Sequence, residues 1–276
     1  MKYLLLLLAC LPFANVIAQN KTDHPKVMII PFDPDMYFND SDEMLAKYNQ
    51  KNIKEIRTMF RMGFNANLSA KILSEYETKS MLTDTTKDVA KDLYAIYKSI
   101  SYFQDKSMPQ QQSIEQGQTV NKSLFKKKPS GNDQTKSKLT ETDKDGLHTY
   151  MNVKIHDVKM LEYLKQKYGT ELFVFVNQFN LVTNYEHCLD RATNTFEREI
   201  GIHYSIFDYT GKQLAGDVAI IKFPSNTNDM AVIIKETFPP IADHLTKDLP
   251  GHIKSSNGNS NNHEVKYQSQ PAKKEE

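Results

Sequence analysis

The run Leu172-Phe173-Val174-Phe175-Val176-Asn177-Gln178-Phe179-Asn180-Leu181-Val182 constrains the fold more than any other stretch of the chain. Its first five residues are all large or β-branched and apolar. A strand of that kind has both faces covered, and so belongs to a sheet lying between other layers. After Val176 the pattern alternates, which puts the far end of the strand nearer an edge or rim. Val27-Met28-Ile29-Ile30, followed by Pro31-Phe32, is a second continuous apolar run and reads as a short buried strand.

Helical periodicity fills the space between these strands. Ile53, Ile56, Met59, Phe60, Phe64, Leu68 and Leu73 recur at three and four residues from about Asn52 to Glu77, with Asn52 placed to cap the helix. Val89, Leu93, Ile96, Tyr97 and Ile100 predict a second helix from Lys87 to Tyr102. Val158, Leu161 and Leu164 predict a third from Asp157 to Tyr168, stopped by Gly169. Arg198 to Phe207 alternates around Ile200, Ile202, Tyr204 and Ile206, and Gln213 to Phe223 around Leu214, Val218, Ile220 and Phe223. Asp208-Tyr209-Thr210-Gly211-Lys212 between them is a hairpin turn. A final helix runs from Asn228 to about Leu249, where Pro239-Pro240 is expected to kink or split it. The fold class is therefore α/β (α+β). One central mixed sheet of about four to five strands is flanked by helices, in the order β-α-α-α-β-β-β-α.

The chain is 39% hydrophobic and 25% charged, yet its mean hydropathy is −0.58, so some segments are too polar to pack. One such segment runs from about Lys106 to His148 through Gln110-Gln111-Gln112 and Lys126-Lys127-Lys128, and another is the tail from Gly251 to Glu276. Neither carries enough apolar surface to offset its chain entropy, and both read as disordered. The domain boundaries follow: a signal segment 1–18, one α/β domain 19–250 with an insertion at about 106–148, and a tail 251–276.

The signal segment is read from Lys2, the apolar stretch Leu4 to Phe13 and the small residues near Ala18. It predicts export to the periplasm or beyond, with no transmembrane segment left after cleavage. Leu7-Leu8-Ala9-Cys10 loosely resembles a lipobox, so a form anchored through a lipid on Cys10 is the alternative. With Cys10 removed, Cys188 is the lone cysteine and cannot close an internal disulfide. A buried thiol fits the Leu189 that follows it, and an intermolecular disulfide is the other reading.

A formal net charge of +1 supplies no field for nucleic acid, and no ordered face interleaves aromatic and basic residues, so no nucleic-acid partner is expected. No Gly-x-Ser-x-Gly, His-Glu-x-x-His or phosphate-cradling glycine loop occurs, and no cofactor or catalytic set is expected. Two segments could support an enzyme or metal-binding reading. The carboxylates of Asp33 to Asp42 could hold calcium, but their spacing lacks the turn glycine of a calcium loop, and capping by Asp40 or Ser41 explains them. His187-Cys188, with Glu186 and Asp190 nearby, places neighbouring side chains on opposite faces of a strand.

Aromatic side chains gather where strands end. Asp33, Asp35, Tyr37 and Phe38 follow the first strand, Tyr185 follows the central one, and Tyr209 lies in the hairpin turn. Rings with a polar tip suit recognition, so these six residues form the expected binding surface for a protein or another component of the envelope.

Three stretches carry a family resemblance: Val27-Met28-Ile29-Ile30-Pro31-Phe32, then Lys167-Tyr168-Gly169-Thr170-Glu171-Leu172-Phe173-Val174-Phe175, then Ile206-Phe207-Asp208-Tyr209-Thr210-Gly211-Lys212-Gln213-Leu214-Ala215-Gly216. Together they resemble the opening strand, the helix-to-strand junction and the late hairpin of a bacterial envelope fold. That fold is shared by the amino-terminal domain of TolB, the curli secretion-channel subunit and a lipoprotein activator of penicillin-binding proteins. The resemblance spans about Lys26 to Leu249 and implies fold and compartment rather than activity. The polar insertion, the helix near Lys87 and the stretch Asn184 to Glu197 depart from it. The function expected is that of an exported, non-enzymatic binding or assembly module, with a subunit of an oligomeric envelope complex as an alternative.

Overall fold

In the computed structural model, residues 25–107 and 148–251 are described. The expectations for the signal segment, for Cys10, for the insertion apart from its ends and for the tail lie outside those residues.

The chain opens with β1 (Val27–Ile30), a 3-10 turn (Pro34–Met36), β2 (Tyr37–Asn39), α1 (Asp42–Asn49) and α2 (Ile53–Leu73). It continues through β3 (Thr78–Ser80), α3 (Lys87–Ser99), β4 (Ile100–Lys106), β5 (Thr149–Ile155) and α4 (Lys159–Tyr168). The long strands β6 (Leu172–Asp190), β7 (Thr195–Asp208) and β8 (Gln213–Pro224) lead to α5 (Met230–Thr246). The main sheet runs β3-β1-β6-β7-β8, and β2 adds to β6 beyond the end of β1. β1 is parallel to both neighbours, and β6, β7 and β8 are antiparallel, so the sheet is mixed. β4 and β5 pair separately as an antiparallel ribbon.

Successive residues of β1 point to opposite faces and enter two separate cores. Val27 and Ile29 join Val174, Val176, Phe179, Ile200 and Ile202 beneath α1, α2 and α5. Met28 and Ile30 join Phe173, Phe175 and Phe207 beneath α3, α4 and β5. The apolar opening of β6 is thus covered on both faces, as its composition requires.

Local signals set several boundaries. Asn52 accepts the Glu55 N–H at 2.9 Å while the Glu55 carboxylate accepts the Asn52 N–H at 2.8 Å, a reciprocal capping box at the start of α2. Gly169 ends α4 at φ 69°. In the β7–β8 turn, Asp208 Oδ1 accepts from the backbone of Thr210 and Lys212, and Gly211 takes φ 84°. A Cβ on Gly211 would come within 2.7 Å of Val158, so this turn also packs on the start of α4.

Four expectations change. The helix predicted to Tyr102 stops at Ser99, because Ile100-Ser101-Tyr102-Phe103 is β-branched or aromatic and pairs with β5. α1, β2, β3 and β5 are additional elements; the strands β2 and β3 have three residues each, too few to make a visible period. α5 is not split at Pro239-Pro240. Both rings are exposed and the carbonyls they free, on Lys235 and Glu236, belong to exposed residues, while Phe238, Ile241 and Leu245 hold the buried side. Finally, the stretch Asn184 to Glu197 is the continuation of the β6–β7 hairpin.

Candidate binding surface

The β6–β7 hairpin outruns the rest of the sheet. β2 leaves β6 at Leu181 and β8 leaves β7 at Glu197, yet pairing between β6 and β7 continues to Asp190 and Thr195. The hairpin then closes through residues 191–194, with Asn194 at φ 51°, a left-handed conformation that asparagine tolerates. Asp190 holds this turn by accepting from Ala192 N at 2.9 Å and Thr193 Oγ1 at 2.8 Å. On the β7 side, Ser225 and Phe196 exchange hydrogen bonds at 2.8 Å, so that edge is partly closed. Among the described residues, no strand pairs with the outer edge of β6 from residue 185 to 190.

This projecting segment carries exposed apolar side chains. Tyr185 is 62% exposed and packs edge-on against Phe196, with ring centroids 5.2 Å apart, and Leu189 is exposed beyond it. Met44 and Tyr48, four residues apart on α1, are exposed on one side of that helix. Met44 reaches the hairpin through Arg198, whose Nη2 donates to its sulfur at 3.0 Å.

The structure divides the six expected surface residues. Phe38 is half exposed on β2, and Tyr185 lies at the start of the projecting segment. Asp33 caps the 3-10 turn by accepting the Asp35 N–H at 3.1 Å, and Asp35 is exposed beside it. Tyr37 is not a surface residue: it is 7% exposed, its ring stacks on Phe179 at 5.0 Å, and its hydroxyl donates to Asp42 at 2.6 Å. Burial pushes its phenol well above the ordinary range, partly opposed by the Asn39 hydrogen bond. Alternation decides this, because Tyr37 pairs with Phe179 on the core face and Phe38 takes the opposite one. Tyr209 stands at the other end of the molecule. Its turn follows Asp208, which pairs with Leu172, and its ring lies under Lys165 at 3.2 Å. The six therefore do not form one surface.

The acidic loop is engaged piecemeal. Asp40 accepts from Thr183 N at 2.7 Å and from the Ser41 hydroxyl at 2.8 Å, tying α1 to β6. Ser41 holds the N-cap position of α1 without a side-chain capping bond. Asp42 accepts from Tyr37, Asn39 and Arg57. His187 faces Glu197 at 3.2 Å, and Cys188 lies opposite Phe196. Cys188 is a free thiol and half-buried rather than buried, because its part of the hairpin extends past the sheet. Among the described residues, no group of three or more histidine, cysteine, aspartate or glutamate side chains is placed to hold a metal.

Sequence reasoning did not single out Met44, Leu189 or Arg198. Arg198 had a signal: the apolar alternation Ile206, Tyr204, Ile202, Ile200 continues to it, so it occupies an inward position. Comparison of the chain with family models, with curated proteins and with solved structures returned no match in any of the three.

Proposed function

We propose that this chain is an exported, non-enzymatic binding or assembly module of the bacterial cell envelope, and that a protein partner docks on the projecting end of the β6–β7 hairpin. One observation carries the reading: a strand edge from residue 185 to 190 lacks a strand neighbour among the described residues while carrying exposed Tyr185 and Leu189. Unpaired strand edges are ordinarily kept short or blocked, since they recruit other chains. An extended segment of a partner can add to such an edge, taking specificity from the side chains around it. Met44 and Tyr48 widen the apolar area to α1.

The compartment is supported by the amino-terminal signal pattern and by the three stretches that resemble envelope domains. No helix among the described residues is long and apolar enough to cross a membrane. Cell fractionation tests the address, with the chain expected in the periplasmic or external fraction and processed near Ala18. Capture from envelope extract tests the surface. The unaltered chain should retain a discrete partner that the Tyr185→Ser, Leu189→Ser double variant loses while keeping its far-ultraviolet circular dichroism. Equal capture by both would contradict the docking site.

A further inference from the structure

Arg198 occupies an unusual position for a cation. It is 1% exposed, on the face of the sheet otherwise filled by Ile200, Ile202 and Tyr204. A buried charge is ordinarily paired with an opposite one, because its desolvation is otherwise uncompensated. Arg198 has no such ion pair among the described residues. Nη1 donates to Asn228 Oδ1 at 2.9 Å and to the Thr227 carbonyl at 3.3 Å. Nη2 donates only to the Met44 thioether, and Nε meets no acceptor. Asp40 lies close enough to influence the guanidinium, but its carboxylate is taken up by Thr183 and Ser41.

The unused groups are not scattered. Nε and Nη2 form one edge of the planar guanidinium, the pair of donors that matches the two oxygens of a carboxylate. On that edge Nη2 meets only a thioether, a weak acceptor on a flexible side chain that is itself 50% exposed, and Nε is buried without an acceptor. Met44 thus links that edge to the exposed side of α1, and Arg198 pairs with Thr183, two residues before Tyr185, at the root of the projecting hairpin.

We propose that the Nε–Nη2 edge of Arg198 is a carboxylate-binding site, capped in the free protein by Met44, and that it takes an acidic side chain or chain terminus of the docking protein. This rests on the docking reading above and names the chemistry that the partner brings. A monoanion suits the site better than a phosphate, because Asp40 already contributes a negative charge nearby and would repel a second charge on the ligand.

Nitrogen-15 spectra of the arginine Nε–H groups in the full mature chain test it, with acetate, inorganic phosphate and chloride added at constant ionic strength. The Arg198 resonance, identified by its loss in Arg198→Lys, should shift and saturate with acetate, shift less with phosphate and stay in place with chloride. Met44→Ala should tighten acetate binding about threefold or more, since the competent state no longer competes with the cap. No saturable shift, a chloride response equal to that of acetate, or a preference for phosphate would overturn the carboxylate site. Unchanged or weaker acetate binding in Met44→Ala would overturn the cap. If Arg198→Lys does not fold, Arg198→Gln supplies the assignment and the titration of the unaltered chain still decides. The docking reading fails separately: partner capture that survives Tyr185→Ser, Leu189→Ser contradicts it even where acetate binds. Capture that is lost in that variant but retained in Arg198→Lys leaves docking intact and removes the carboxylate contact.

Discussion

The two faces of the central sheet use the same strands and diverge along their length. Beneath α1, α2 and α5 the inward positions are apolar from Val27 and Leu172 through Phe179 and Leu181, with Arg198 at the far end. On the opposite face Met28, Phe173, Phe175 and Phe207 make an apolar core only near the start of β6. Farther along come Asn177, Ser205 and Asn152, then His203, Asn180 and Gln178, and then Glu199 and Glu197 with Lys222. The first face gains its stability from close packing. The second depends on a hydrogen-bond network that fixes where the β4–β5 ribbon lies: Ser205 donates to Asn152 at 2.6 Å, Asn177 donates to the Met151 carbonyl at 2.8 Å, and His203 Nδ1 accepts the Met151 N–H at 2.9 Å. Such networks hold a single arrangement when satisfied and are costly when broken.

The largest effect is expected on the apolar face. Phe179 lies among Phe32, Tyr37 and Phe60, with centroids 4.9 to 6.3 Å apart within this group, and is fully buried. Phe179→Ala should cost about 3–5 kcal/mol in urea unfolding through lost burial and the cavity left behind. A cost under 1 kcal/mol would mean that this face is not close-packed.

The polar face should respond to pH instead. Burial lowers the pKa of His203 from 6.5 to about 4, opposed by the charge of Asp217. The unfolded chain therefore takes up a proton at a pH where the folded chain does not. The stability tied to the neutral ring is complete above pH 6.5 and is lost as pH falls toward 4, by about 3 kcal/mol in all. Protonation would also remove the Nδ1 acceptor from the Met151 N–H. Urea unfolding across that interval should give this slope, and His203→Gln should flatten it; an unchanged slope in the variant would assign the effect elsewhere.

Gly216→Ala probes where β8 meets the ribbon. A Cβ there would come within 2.1 Å of the Tyr150 hydroxyl and 2.6 Å of Gln213 Nε2, which hydrogen-bond to each other at 2.7 Å. Displacing this pair should cost about 1–3 kcal/mol. Asn52→Ala, which removes half of the capping box on α2, is expected to cost about 1 kcal/mol and no more, because it touches neither core.

The apolar face was largely legible in the sequence. The three-and-four spacing of Ile56, Phe60, Phe64 and Leu68, the Asn52 cap and the Gly169 stop each carry a local signal, and each falls where the residue types put it. The polar face was harder to read, since Asn177, Ser205 and His203 are individually indistinguishable from exposed positions until the ribbon lies over them. β5 came from Thr149–Ile155, whose role depends on pairing with Ile100–Lys106 across the insertion rather than on its own pattern. The candidate surface was legible only in part. Tyr185 and Phe38 are exposed, but they lie within β6 and β2 rather than after a strand, and Tyr37 faces inward because the register with Phe179, not the loop around it, decides which way it points. Arg198 sat at a readable inward position; what it lacks in partners depends on contacts from α1 and on the segment before α5 that no spacing reveals.

The most direct test of the docking account places a photo-crosslinking amino acid at Leu189, on the projecting hairpin, and in a second chain at Tyr94, an exposed position on α3 beneath the other face. Irradiation in envelope extract should give a discrete adduct from position 189 and none from position 94. Adducts of equal yield from both positions, or from position 94 alone, would contradict the assignment of the β6–β7 hairpin as the binding end of the molecule.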